Sequence, residues 1–285
     1  MQNFIEITRI KKPTGIFLLL IPCLIGVFVN IQVPISQLFS KEVIRLVFLF
    51  AVGATIMRSA GCIINDIIDI KFDKKVARTK NRPLASGKMT IFQAIFGLFL
   101  LLFAGFIILL QFNKLAIICA VFSLFLVILY PLMKRITYYP QVFLGVVFNI
   151  GFLIACLQIK STITVLDLLI YLALIILTFV YDTIYGFQDI EDDLKIGVKS
   201  SSMIVTKNPR LQLILPLILS FLLIFTVAII QNFNIEFYLT NLFALFYSIL
   251  LILNCNFSNG SSCLIAFKRF SYIELIVMIS FIFKL

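Results

Sequence analysis

The sequence predicts an all-α membrane protein that crosses the bilayer many times, and three observations predict it. The chain of 285 residues is 62% hydrophobic, with a mean hydropathy of +1.13, well above the about 45–50% apolar content of soluble domains. Charged residues are 13% of the chain, too few to coat a water-soluble particle of this size. Apolar runs of membrane-spanning length recur from end to end, each near the roughly 20 residues that a helix needs to cross hydrocarbon.

The runs cover residues 14–34, 43–64, 90–110, 115–133, 140–159, 164–187, 211–231, 237–253 and 270–284, so nine transmembrane helices are expected. The first follows Arg9, Lys11 and Lys12 and so has the flanks of a signal peptide. It lacks a small-residue cleavage site and is followed by eight more runs, which makes it a helix. Basic residues orient the set. With the N-terminus cytoplasmic, 18 of them fall on cytoplasmic segments and 5 on the opposite side, a strong positive-inside bias. Two cytoplasmic loops are long, about 65–89 and 188–210, and the other connections are short enough to join antiparallel neighbours. No linker divides the chain, so residues 1–285 read as a single domain.

Composition also excludes chemistry. Histidine is absent, which removes zinc hydrolysis of the usual kind and Ser-His catalysis. The six cysteines, Cys23, Cys62, Cys119, Cys156, Cys255 and Cys263, form no C-x-x-C pair and read as small core residues. The net charge of +11 belongs to loops facing anionic lipid and calls for no nucleic acid.

Eight of the 13 acidic residues sit in two places. The first, "NDIIDIKFD", holds Asp66, Asp69 and Asp73; the second, from "YDTIYGF" to "EDD", holds Asp182, Asp189, Glu191, Asp192 and Asp193. Asn65, Asp69 and Asp73 are spaced i, i+4, i+8 and form one helical stripe, about 6 Å apart along the axis. Asp182, Asp189 and Asp193 form another. Asp66 and Asp192 lie about 100° off these stripes and point inward less obviously. Glu191 and Asp192 read as solvated loop charges, whereas Asp182 lies inside the sixth run, where an ionisable residue is a functional candidate. Like charges stacked on one face need a cation. Oxygen donors without His or Cys suit Mg²⁺, which takes one or two carboxylates and completes its shell with water and phosphate oxygens. Two such stripes on one membrane face describe a pyrophosphate clamp.

Basic residues complete it. "RTKNRPLASG" supplies Arg78, Lys80 and Arg82, and Pro83 and Gly87 turn the segment back over the helix ends. "DDLKIGVKSSS" repeats the plan with Lys195, Lys199 and Ser200. Arg58, seven residues before Asn65 and on its face, has two readings: partner of an aspartate, or binder of an anionic co-substrate. Arg9, Lys12, Lys134 and Arg135 lie on the same side and read first as positive-inside anchors.

With these motifs in hand, the chain resembles the UbiA superfamily of intramembrane aromatic prenyltransferases. "NDIIDIKFD" is similar to its N-D-x-x-D-x-x-x-D signature and "YDTIYGFQDIEDDLKIGVKSS" to its second aspartate-rich motif. "RIKKPTGIFLLLIPC", "MRSAGCIINDIIDIKFDKKVARTKNRPLASG" and "LYPLMKRITYYPQVFLG" resemble the 4-hydroxybenzoate polyprenyltransferase branch. The resemblance implies a central cavity capped by the two long loops. It implies Mg²⁺-dependent transfer of a polyprenyl group from polyprenyl diphosphate to the ring of an aromatic acid, 4-hydroxybenzoate, in ubiquinone biosynthesis. It places Asp66, Asp69, Asp73, Asp182, Asp189 and Asp193 as metal ligands. Arg135 matches a basic residue of the family that helps to bind diphosphate. Residues and resemblance together make Arg135, Asp69, Asp73 and Asp182 the expected catalytic set, and Arg9, Arg58, Asn65, Arg78, Arg82, Lys134 and Lys199 the expected substrate binders.

The residues suit that chemistry independently. A cationic clamp acts where charge develops on the leaving diphosphate, and a dry cavity protects an allylic cation from water. Asp182 is the candidate acceptor of the phenol proton. Two alternatives stand: another superfamily branch with a different aromatic acceptor, and a cation-coupled transporter. The latter would place its carboxylates near mid-membrane in broken helices. The expected location is a bacterial inner membrane, since the N-terminal segment is not the Arg- and Ser-rich kind that directs import into mitochondria.

Overall fold

The computed structural model describes residues 2–31, 39–76 and 78–284. A short helix α1 (Gln2–Ile7) precedes α2 (Thr14–Asn30) and the long α3 (Lys41–Ile68), which runs into a single turn, α4 (Ile70–Asp73). Then come α5 (Ile91–Leu109), α6 (Lys114–Ile136), α7 (Pro140–Lys160) and α8 (Val165–Gly186). They are followed by the short α9 (Ile190–Ile196), then α10 (Pro209–Ile230), α11 (Ile235–Asn254) and α12 (Gly260–Ser280). Among the described residues there is no strand.

The ends of these helices are written in the sequence. The Thr90 and Thr164 hydroxyls each accept from a backbone N–H three residues on, and their own backbone N–H groups donate back to the side-chain oxygens of Gln93 and Asp167, closing capping boxes. Asn113, Asn234 and Asn259 cap α6, α11 and α12. Pro140 and Pro209 open α7 and α10, where a missing N–H costs nothing.

Among the described residues seven helices are long and apolar enough to cross a membrane: α3, α5, α6, α7, α8, α10 and α11. Two of the nine expected spans differ. α2 is apolar but has 17 residues, and residues 32–34 of the expected first run lie outside the described residues. The last helix begins at Gly260 rather than at 270, so Lys268 and Arg269 lie within it instead of in a loop. Helix formation does not stop at charge: long basic side chains keep their stems on the helix and send the head toward polar surroundings.

The bundle is lopsided. α2, α7, α8, α10, α11 and α12 close around one dense core that includes Phe152, Tyr181, Phe221, Phe237, Phe270 and Phe281. α2 and α7 approach closely because small residues meet: a Cβ on Gly26 would lie 2.6 Å from the Phe152 carbonyl oxygen, and one on Gly151 would lie 2.3 Å from Cys23 Sγ. α5 packs on α3, and α6 on α7 and α3, leaving their outer faces apolar and exposed. Between these helices and the dense half lies a cavity of about 1400 Å³. The segments joining α3 to α5 and α8 to α10 lie at one end of it, and both aspartate groups are there.

Candidate active site

The first aspartate group sits where α3 breaks. Asp69 caps α3 with φ −97° and ψ 6°, its N–H donating to the Asn65 carbonyl at 2.9 Å. The N–H groups of Phe72 and Asp73 then both donate to the Asp69 carbonyl, at 2.9 and 2.8 Å, and the chain resumes as α4. The i, i+4, i+8 stripe therefore survives a kink. Asp69 and Asp73 are buried.

Asp66, off the stripe, is nevertheless turned inward: it is 1% exposed, paired with Arg9 and, at 3.1 Å, with Arg82. An interior partner explains this: Arg9, before α2, adopts φ 56° and directs its guanidinium onto both Asp66 and the Cys62 sulfur. Arg82 bridges Asp66 to Asp73, 2.8 Å away. Lys134 and Arg135, at the end of α6, both reach Asp69 and both lie over the Phe72 ring. Of the four basic residues read as positive-inside anchors, Arg9, Lys134 and Arg135 each hold a named carboxylate, whereas Lys12 is exposed.

In the second group Asp182 lies one turn before the end of α8, Asp189 is the N-cap of α9, and the Asp193 N–H donates to the Asp189 carbonyl at 2.8 Å. Arg78, from the loop after the first group, donates from Nε and Nη2 to the two oxygens of Asp189 at 2.9 and 2.6 Å, and from Nη1 to Tyr185 Oη at 3.1 Å. Burial works against the Arg78 charge, yet these bonds outweigh it and hold the guanidinium above its ordinary value. Burial, reinforced by neighbouring Asp189, pushes the Asp193 carboxyl up to about 6. Lys199 is tied to the same end of α6: its N–H donates to the Lys134 carbonyl and its ammonium to that of Ile136.

These side chains enclose a pocket of about 200 Å³ lined by Asn65, Asp69, Asp73, Arg78, Arg82, Lys134, Asp182, Asp189, Asp193 and Lys199. Asn65, Arg78, Arg82, Tyr130, Asp182 and Tyr185 line both this pocket and the large cavity, so the two adjoin. Arg9, Arg58 and Asp66 line the large cavity only. Among the described residues Arg58 has no carboxylate within ion-pair distance; its guanidinium faces the Phe148 ring at 5.4 Å. Of its two readings, this favours an anionic ligand.

The donor set suits a hard cation. It is all oxygen, the donor class that Mg²⁺ takes from one or two carboxylates, water and phosphate; among the described residues no three acidic, His or Cys side chains gather into a closed metal cluster. Glu191 and Asp192 do not line the pocket.

Sequence reasoning missed three residues. Tyr130 and Tyr185 sit at the junction of the two cavities, and each had a signal, four residues before Lys134 and three after Asp182. Glu274, on α12, is wholly buried, and neither carboxylate oxygen has a hydrogen-bond partner among the described residues. Its signal was a lone acid inside an apolar run.

The profile of the UbiA prenyltransferase family matches residues 19–273. The chain is 38% identical to the mitochondrial 4-hydroxybenzoate polyprenyltransferase of Dictyostelium discoideum, over 98% of this chain and 61% of that one. It is 34% identical to the 4-hydroxybenzoate octaprenyltransferase of Vesicomyosocius okutanii, over 96% and 98%. The chain thus spans less than two thirds of some curated relatives and nearly all of another. Among solved structures, a digeranylgeranylglyceryl phosphate synthase superposes with a TM-score of 0.70 at 22% identity, covering 99% of this chain and 97% of that one. A UbiA homologue from Archaeoglobus fulgidus, bound to GPP and Mg²⁺, superposes with a TM-score of 0.70 at 14% identity, covering 98% and 99%. These likenesses fix the fold. A multi-pass helical membrane protein with both aspartate motifs at one end of a shared cavity, matched by the family profile over most of its length, this chain belongs to the UbiA prenyltransferase family.

Proposed function

We propose that residues 1–285 act as one unit that transfers a polyprenyl group from polyprenyl diphosphate to the ring of 4-hydroxybenzoate, ortho to its hydroxyl, in ubiquinone biosynthesis. One observation carries the reading: the two aspartate groups and Arg78, Arg82, Lys134 and Lys199 share a chamber that adjoins a large, mostly apolar cavity. At about 1400 Å³ that cavity exceeds the about 300–1,000 Å³ typical of small-molecule pockets, as an isoprenoid chain requires. The relatives named for this activity and the homologue bound to GPP and Mg²⁺ support it.

Asn65, Asp69 and Asp73 on one wall and Asp182, Asp189 and Asp193 on the other would hold Mg²⁺, with Asp66 behind the first set. When bound, the metal withdraws charge from the diphosphate as the allylic C–O bond breaks. Arg78, Arg82, Lys134 and Lys199 bind the diphosphate oxygens, and Arg9 and Arg135 steady Asp66 and Asp69. The apolar walls keep water from the allylic cation, and Tyr130, Phe148 and Tyr185 present ring faces near it. Arg58 receives the carboxylate of the aromatic acid. The ring attacks, a C–C bond forms, and Asp182 accepts the proton. The chain sits in a bacterial inner membrane with its N-terminus and this chamber on the cytoplasmic side, as the basic residues favour.

The test is an assay of purified protein in lipid nanodiscs with Mg²⁺, a polyprenyl diphosphate and a panel of labelled aromatic acids. Prenylated 4-hydroxybenzoate that disappears with EDTA is the expected result. Product on a different acid assigns another acceptor. Ion or solute uptake by proteoliposomes with no turnover of diphosphate would replace the reading with transport.

A further inference from the structure

Two cysteines outside the site form a pair that the site does not use. Cys255 ends α11 in extended conformation, φ −72° and ψ 127°, and Cys263 lies in the first turns of α12. Both are buried, and their sulfurs are 3.9 Å apart. Cys255 Sγ also lies 3.9 Å from the Ser262 hydroxyl, at the amino end of α12, a place that favours a thiolate. The Cys263 thiol, then the Ser262 hydroxyl and Arg210, hold Cys255 below the ordinary thiol range against the effect of burial. Asn254, Asn256, Ser258, Asn259 and Ser261, which flank the pair in sequence, are exposed, so the two cysteines lie beside a segment open to its surroundings.

The loop between the two cysteines is also the seat of the second aspartate group. The Phe257 ring packs on Phe187 with centroids 4.9 Å apart, and a Cβ on Gly260 would lie 3.5 Å from Gln188. Phe187 and Gln188 lead directly into Asp189.

We propose that Cys255 and Cys263 are a redox-active dithiol whose oxidation to a disulfide moves the support of Asp189 and weakens the chamber. The oxidant is hydrogen peroxide. The Cys255 thiolate attacks one peroxide oxygen and breaks the O–O bond, giving a sulfenic acid and a hydroxide that leaves as water with the proton the thiol had lost; the Cys263 thiol then displaces the sulfenic hydroxyl as a second water, leaving the disulfide. Closing to the about 2.05 Å of an S–S bond draws the sulfurs together by nearly 2 Å, and residues 256–259 and the first turn of α12 move with them. The effect on turnover rests on the proposed prenyl transfer; the disulfide itself does not.

The experiment treats full-length protein in nanodiscs with hydrogen peroxide, maps disulfides by non-reducing peptide mass spectrometry, and measures two responses. One is the rise in melting temperature on adding Mg²⁺ and pyrophosphate; the other is prenyl transfer. The expected result is a Cys255–Cys263 linkage, a smaller melting rise, and transfer reduced about fivefold or more, in the range of couplings between sites. Thiol reductant restores both responses, and Cys263→Ser forms no linkage and keeps both under peroxide. Two free, alkylatable thiols after peroxide overturn the proposal, as does a linkage that leaves the melting rise unchanged. Absence of transfer in the reduced protein, with the linkage and melting response present, overturns the prenyl-transfer reading alone.

Discussion

Arg78 Nε and Nη2 lie 2.9 and 2.6 Å from the two carboxylate oxygens of Asp189, so a side chain from the loop after the first aspartate group is seated in the second. That fork joins the two halves of the chamber. Arg78→Lys keeps the charge and loses the paired geometry, and is expected to lower transfer roughly tenfold, a loss near 1.4 kcal/mol. Arg78→Ala should cost more. Steady-state rates at saturating Mg²⁺ check both, and wild-type activity in Arg78→Ala would remove the latch from the account.

Asp69 is held by Lys134 and Arg135 and Asp182 lies inside α8, so each is placed by the fold before any ligand arrives. Asp69→Ala and Asp182→Ala should each reduce transfer by about 10²–10³ or more, the scale of losing one preorganised electrostatic group. Membrane insertion and the size-exclusion profile in detergent should not change. Full activity in either purified variant contradicts its role.

Arg58 faces the cavity with no carboxylate partner among the described residues. Arg58→Met should raise the KM for the aromatic acid by about tenfold or more while leaving the KM for the prenyl diphosphate near its original value, since a charged hydrogen bond is worth about 1.5–3 kcal/mol. Equal changes in both constants would place Arg58 in the diphosphate site instead.

Asp193 has a folded-state pKa raised to about 6 by burial and Asp189. Protonation therefore favours the folded state. This contribution is complete below the ordinary carboxylate value near 4 and is lost as pH rises through about 6. The metal-free protein should melt at a lower temperature at pH 7.5 than at pH 5, and Asp193→Asn should narrow that difference. Mg²⁺, which needs the ionised carboxylate, should help more at pH 7.5. An Asn variant with the unaltered pH profile refutes the assignment.

Glu274 is buried with neither oxygen paired among the described residues, and an unmet buried polar group costs about 1–3 kcal/mol. Glu274→Met is expected to raise the melting temperature in detergent. A lowered melting temperature would show that the carboxyl has a partner that keeps it there.

Much of this was legible beforehand, for identifiable reasons. Hydropathy places α3, α5, α6, α7, α8, α10 and α11 within a few residues because a membrane span has one length and one composition. The i, i+4 spacing brings Asn65, Asp69 and Asp73 to one wall because the backbone bonds persist through the kink. Asp66 escaped that logic: its burial depends on Arg9 and Arg82, which are distant in sequence, and no periodicity within α3 encodes them. The start of α12 was misplaced because Lys268 and Arg269 resemble a loop, yet the Asn259 cap decides where the helix begins. Arg78 was expected at a diphosphate, and only the folded loop reveals its grip on Asp189.

The central claim is that both aspartate groups act on one metal–diphosphate unit. Isothermal titration of Mg²⁺ with geranyl diphosphate into wild-type protein, Asp69→Ala and Asp189→Ala tests it most directly. The account predicts saturable binding in the wild type and a loss of at least about tenfold in affinity, or 1.4 kcal/mol, in each variant. Wild-type affinity in either variant would mean that its wall of the chamber does not hold the ligand, and would contradict the account.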